Sequence, residues 1–122
     1  MTTLGGALLA RDLALLDGVR TLAHSILDRD EVKCPVPSEF PVVLGLVATG
    51  DPGEVLHISV DVLSHVGKSI RTISEQHQLS GNGLAAIYCP FDIPVRVMGP
   101  CYVLLKFGNA EVWRQRIVFV EP

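Results

Sequence analysis

Four histidines, His24, His57, His65 and His77, and three cysteines, Cys34, Cys89 and Cys101, are the side chains with the most chemical reach in this chain. Imidazole is the commonest transition-metal ligand, so the histidines raise the question of a metal. A metal site needs ligands at a spacing that fixes their geometry, and no such motif is present. His57 falls on the polar side of an alternating apolar run, His65 in the turn after it, and His77 where the next segment runs into polar residues. His57 and His77 would meet across neighbouring strands only in one favourable register. Solvated histidines are the plainer reading, and neither metal nor cofactor is expected.

The cysteines are odd in number and lack the close pairs of a zinc ribbon or redox motif. Cys34 in a proline loop and Cys89 beside Pro90 are the candidates for a nucleophile, but no basic cluster or helix start stands beside either to stabilise a thiolate. Thiols of this kind behave as small hydrophobes. A Cys89–Cys101 disulfide stays open, because its geometry is not set by sequence. The acids Asp12, Asp17, Asp28, Asp30, Glu31 and Asp51 fall largely at turns, where Asp bonds locally to backbone. Gly5-Gly6, Gly50-Asp51-Pro52-Gly53 and Gly81-Asn82-Gly83 lack the lysine-serine pair of a phosphate loop and read as turns. Trp113, Arg114 and Arg116 would suit a stacking surface, the alternative being a rim tryptophan with two solvated arginines.

The elements that must position these residues are strands. In Val55–Leu63, Leu56, Ile58, Val60 and Val62 alternate with His57, Ser59 and Asp61, the period of a half-buried strand. Asp51-Pro52-Gly53 precedes it, and Ser64–Lys68 turns it back into Ser69–Ile73 as a hairpin. Gly6–Leu16 reads as a strand, with a short helix as the alternative, and Asp17-Gly18 turns it into Val19–Leu27. Asp28–Glu31 is a charged turn, and Cys34-Pro35-Val36-Pro37 an extended loop. Pro41–Thr49 is nearly continuous in apolar residues, which suits a central strand covered on both faces. Glu75–Gly83 reads as an exposed, mobile connection. Leu84–Met98 resumes as a strand that Pro90 and Pro94 confine to an edge or a bulged path. Cys101–Phe107 and Val112–Val120 form a final hairpin around Gly108–Glu111. About seven strands with turns at this spacing predict an all-β fold, a single antiparallel immunoglobulin-like sandwich spanning residues 1–122.

Composition sets the bounds. At 122 residues, 48% hydrophobic and 19% charged, the chain is long and apolar enough to bury one core. A net charge of -3 gives no electrostatic ground for nucleic acid or an anionic membrane. The opening residues hold no basic region leading into a long apolar run, so neither a signal peptide nor a membrane span is expected, and the cytoplasm is the expected location.

Ala10-Arg11-Asp12, Leu22–Asp28, Pro35–Pro41, Ala48-Thr49-Gly50-Asp51-Pro52-Gly53 and Gly99–Val120 together resemble an uncharacterised family of small bacterial β-sandwich proteins of unknown function. The resemblance covers most of the chain and implies the sandwich. Its motifs are turn, strand and proline-loop phrases that carry no catalytic residue. The family's final strand is more plainly polar than Val112–Val120.

The expected function is therefore a non-enzymatic binding or assembly module. The terminal hairpin, with Tyr102, Leu104, Trp113, Val118 and Val120, holds more apolar surface than one core is expected to cover, so Tyr102, Leu104, Trp113, Arg114 and Arg116 are the candidate interface. A symmetric homodimer is the expected partner, with another protein as the alternative. The competing class is a metal-dependent or hydrolytic enzyme using His57, His77 or Cys89.

Overall fold

Alternation in Val55–Leu63 becomes burial in the computed structural model: Leu56, Ile58, Val60 and Val62 are buried and His57 is exposed. The structure describes residues 1–16, 20–26 and 31–122, with side chains for 1–11 and 31–122. The expected Asp17-Gly18 turn, the side chain of His24 and the acids Asp12, Asp17, Asp28 and Asp30 lie outside the described residues or side chains.

The chain is all-β over these residues. Eight longer strands, β1 (Thr3–Leu16), β2 (Arg20–Ile26), β4 (Ser38–Thr49), β5 (Val55–Leu63), β6 (Ser69–Gln78), β7 (Leu84–Val95), β8 (Gly99–Phe107) and β9 (Ala110–Val120), are joined by the three-residue β3 (Glu31–Lys33). They form two sheets, β2-β1-β4-β7 and β3-β9-β8-β5-β6. All described pairings are antiparallel except β3 with β9. One core lies between the sheets. Leu9, Val42, Leu44, Leu46, Ile87 and Ile93 come to it from the first, and Ile58, Val60, Val62, Val103, Leu105 and Ile117 from the second. Phe40 and Phe119 meet edge to face across it at 5.5 Å. Among the described residues no helix is long and apolar enough to cross a membrane.

Several expectations change here. The segment Glu75–Gly83 is not a loop throughout: β6 runs to Gln78, Leu79 is buried, and the turn is confined to Ser80–Gly83. The polar run Glu75-Gln76-His77-Gln78 is an edge strand whose outer side meets water, so its composition imitates a loop. Glu31, read as part of a turn, opens β3, which among the described residues pairs with the end of β9 alone. Pro41–Thr49 is central in its sheet but covered on one face only, since Val47 is 47% exposed. Gly83, at φ 73°, is the position where glycine is required, because a Cβ there would stand 2.2 Å from the Gly50 carbonyl oxygen. That closeness lets Gly50 N–H donate to the Gly83 carbonyl at 2.9 Å and ties the β4 and β7 ends together. β7 is an edge strand, the place its prolines require.

Candidate functional site

Register assigns each face. Tyr102 stands opposite Arg116 and Leu104 opposite Arg114, so these four share the outer face of the second sheet. Trp113 stands opposite Leu105, which is fully buried, and packs against the core on the other face. The candidate interface is thus divided between two faces, and Trp113 cannot stack with Arg114 and Arg116 in one surface. The described cation–π contact lies elsewhere, with the Arg11 guanidinium 4.6 Å from the Phe40 ring centre.

The outer face of the second sheet is largely self-satisfied. Thr72 Oγ1 donates to Asp61 Oδ1 at 2.6 Å, and Lys106 Nζ lies 3.1 Å from Asp61 Oδ2. The Thr72 hydroxyl, then Lys106, holds the Asp61 carboxyl below its ordinary range, against the opposing effect of burial. Arg114 donates twice to Glu111, at 2.7 and 3.2 Å. Leu104, although it points outward, is only 5% exposed; it stands between Asp61 of β5 and Arg114 of β9 in the register.

The same register separates the histidines. His77 stands opposite the buried Leu56 and faces inward along the open flank of β6, whereas His57 faces outward. His77 Nε2 lies 3.2 Å from Glu75 Oε2. Among the described residues no three His, Cys, Asp or Glu side chains gather where they could hold a metal. Burial first, and then the neighbouring Glu75 carboxylate, push the Cys89 thiol up to about 12, and burial alone does the same to Cys101. Both are therefore protonated at neutral pH and poor nucleophiles. The two sit on different sheets, and all three cysteines are free and buried. The Cys34 and Ser38 side chains share a hydrogen bond at 3.1 Å.

The surface that sequence reasoning missed is the outer face of the first sheet. Leu8 and Tyr88 flank Gly45 in one cross-strand row, and Gly6 and Ala86 flank Val47 in the next. Large-small-large therefore sits beside small-large-small, about 7 Å further along the strands. Together these side chains line an open apolar groove of about 560 Å³, and among the described residues no charged side chain lines it. Leu84, on the same face of β7, is 49% exposed. The signal was present as Gly45 inside an apolar run, Gly5-Gly6 in β1 and Ala85-Ala86 in β7, small residues in strands with little local reason to be there. Set beside known proteins, the chain matches no family model, and no curated protein matches it either.

Proposed function

We propose that this chain is a non-enzymatic assembly module with an immunoglobulin-like sandwich, and that it pairs with a second copy of itself through the outer face of the first sheet. The observation that carries the reading is the complementary pair of rows, Leu8-Gly45-Tyr88 and Gly6-Val47-Ala86. Consider a two-fold axis in the plane of this face, parallel to the rows and midway between them. It lays each large residue over a small one: Leu8 over the partner's Gly6, the partner's Val47 over Gly45, and Tyr88 over the partner's Ala86. An isologous interface requires this self-complementarity, and with no charge among the described lining residues those residues come together without a desolvation penalty for ions. This face supports pairing better than the terminal hairpin, whose outward Leu104 is already covered and whose charges have partners at home.

The immunoglobulin-like reading rests on chain order. β1 and β4 lie in the first sheet, β5 and β6 in the second, β7 in the first, and β8 and β9 in the second. That is the alternation of the A, B, C, C′, E, F and G strands in such sandwiches, with A-B-E on one side and C′-C-F-G on the other. The resemblance to small bacterial β-sandwich proteins agrees with it. Against the enzyme alternative stand the protonated Cys89 thiol and the separation of His57 from His77. Three free thiols suit the reducing cytoplasm.

Light scattering tests the assembly. The wild type is expected as a dimer at micromolar concentration, and Val47→Asp as a monomer that stays folded, because Val47 is half-exposed in the single chain. Tyr102→Ala should stay dimeric. A monomeric wild type would refute the proposal.

A further inference from the structure

At the end of the molecule where the β5–β6 and β7–β8 turns meet, a second cleft of about 460 Å³ opens. Its floor is apolar and buried, formed by Val95, Cys101 and Phe119, and its lip carries the exposed Ile70 and Val97. Lys68, Arg71 and Arg96 line it, and among the described residues no carboxylate does. In a chain of net charge -3 this is a local excess of positive charge around an apolar hollow.

The cations are held rather than scattered. Glu39, outside the cleft, lies 3.8 Å from Arg71 Nη1 and 3.5 Å from Arg96 Nη2. Arg71 also donates to the Asp92 carbonyl at 2.9 Å. The β5–β6 turn that carries Lys68 is closed by Ser64 N–H to the Lys68 carbonyl at 2.8 Å, and by Gly67 N–H, at φ 81°, to the Ser64 carbonyl at 2.9 Å. Among the described residues Lys68 has no acidic partner within ion-pair distance.

We propose that this cleft binds a small amphipathic anion, its carboxylate or phosphate head against Lys68, Arg71 and Arg96 and a short apolar body on Val95, Cys101 and Phe119. The volume is that of an ordinary small-molecule site, and a few charged groups on an apolar floor are how such sites fix orientation. Guanidinium groups suit either oxyanion, so carboxylate and phosphate heads are both probes. The site lies apart from the assembly face and does not depend on it.

Titration calorimetry on the full chain, with octanoate and octyl phosphate as probes and octanol and inorganic phosphate as controls, tests this. One equivalent of at least one anionic probe should bind, with octanol and phosphate each about tenfold weaker or more, since each lacks half of the recognition. Arg96→Gln and Lys68→Gln should each weaken the anionic probe by about tenfold while leaving the thermal midpoint in place, both side chains being exposed. Backbone amide shifts should centre on Lys68 and Arg96. The Val47→Asp variant should bind as the wild type does, which separates this site from the assembly reading. Octanol binding as tightly as octanoate, affinities unchanged in both variants, shifts centred on the Gly45 groove, or no heat from either anion at millimolar concentration would each overturn the proposal.

Discussion

The two outer faces of this molecule are built from strands of similar length and are finished in opposite ways. On the second sheet Asp61, Thr72 and Lys106 form one hydrogen-bonded group, Arg114 grips Glu111, and the outward Leu104 is covered. On the first sheet the central rows hold Gly6, Leu8, Gly45, Val47, Ala86 and Tyr88, without a charged side chain. An apolar residue at an outward position thus has two fates. Where longer residues stand beside it, as Asp61 and Arg114 do at Leu104, it is buried although it points away from the core. Where glycine and alanine surround it, as at Val47, the described neighbours are too short to reach over it and it stays half-exposed, the exposure on which the proposed pairing rests.

Truncation would separate these fates most sharply. Leu104→Ala should lose about 2–5 kcal/mol in urea unfolding, the range for a buried leucine, despite pointing away from the core. Val47→Ala, measured at concentrations where the chain is monomeric, should lose about 1 kcal/mol or less. Equal losses at the two positions would erase the contrast between the faces.

The buried thiols give the next effect. Cys89 and Cys101 ionise only near 12 in the folded chain but near 9 when unfolded. Because their folded values are raised, the stability they contribute is complete below pH 9 and falls away as pH rises from 9 towards 12. Unfolding free energy followed from pH 8 to 11 should decline on this account, and less steeply in Cys89→Ala. Native thiols should also react with a disulfide reagent only at the rate of unfolding.

Asp61 tests the polar face with a smaller effect. Its folded value is depressed, so its contribution is complete above the unfolded value of 3.8 and is lost as pH falls through the lower folded one. Asp61→Asn should cost about 1 kcal/mol at neutral pH and flatten the acid limb of the stability profile. A limb unchanged by that substitution would mean that the Thr72 and Lys106 contacts do not hold the face together.

Much of the fold could be read from period two. The alternation of Val55–Leu63 gave its inward face, and Pro90 and Pro94 narrowed β7 to an edge or a bulged path, because these signals depend on the strand alone, whereas Cys101–Phe107, apolar on both sides, left its inward face open until β5 and β9 were set beside it. What was not legible depends on neighbours distant in sequence. Glu75–Gln78 joins β6 through pairing with Val55–Ile58, and Glu31–Lys33 becomes a strand through β9. The candidate site failed to appear for the same reason. Leu8, Gly45 and Tyr88 become one row only when three separated strands are set in register; that Trp113 and its neighbours Arg114 and Arg116 take opposite faces follows from alternation alone, but which of them faces the core is fixed only by the pairing of Trp113 with the buried Leu105.

The most direct test of the central claim, that the first sheet's outer face pairs with its own copy, is an isotope-filtered NOE measurement on a dimer mixed from labelled and unlabelled chains. The two-fold packing predicts intermolecular contacts from the Tyr88 ring to the partner's Ala86 methyl, and from the Leu8 methyls to the partner's Gly6. Intermolecular contacts that instead arise from Tyr102 and the outer face of β8 and β9, or a mixed sample with none, would contradict it.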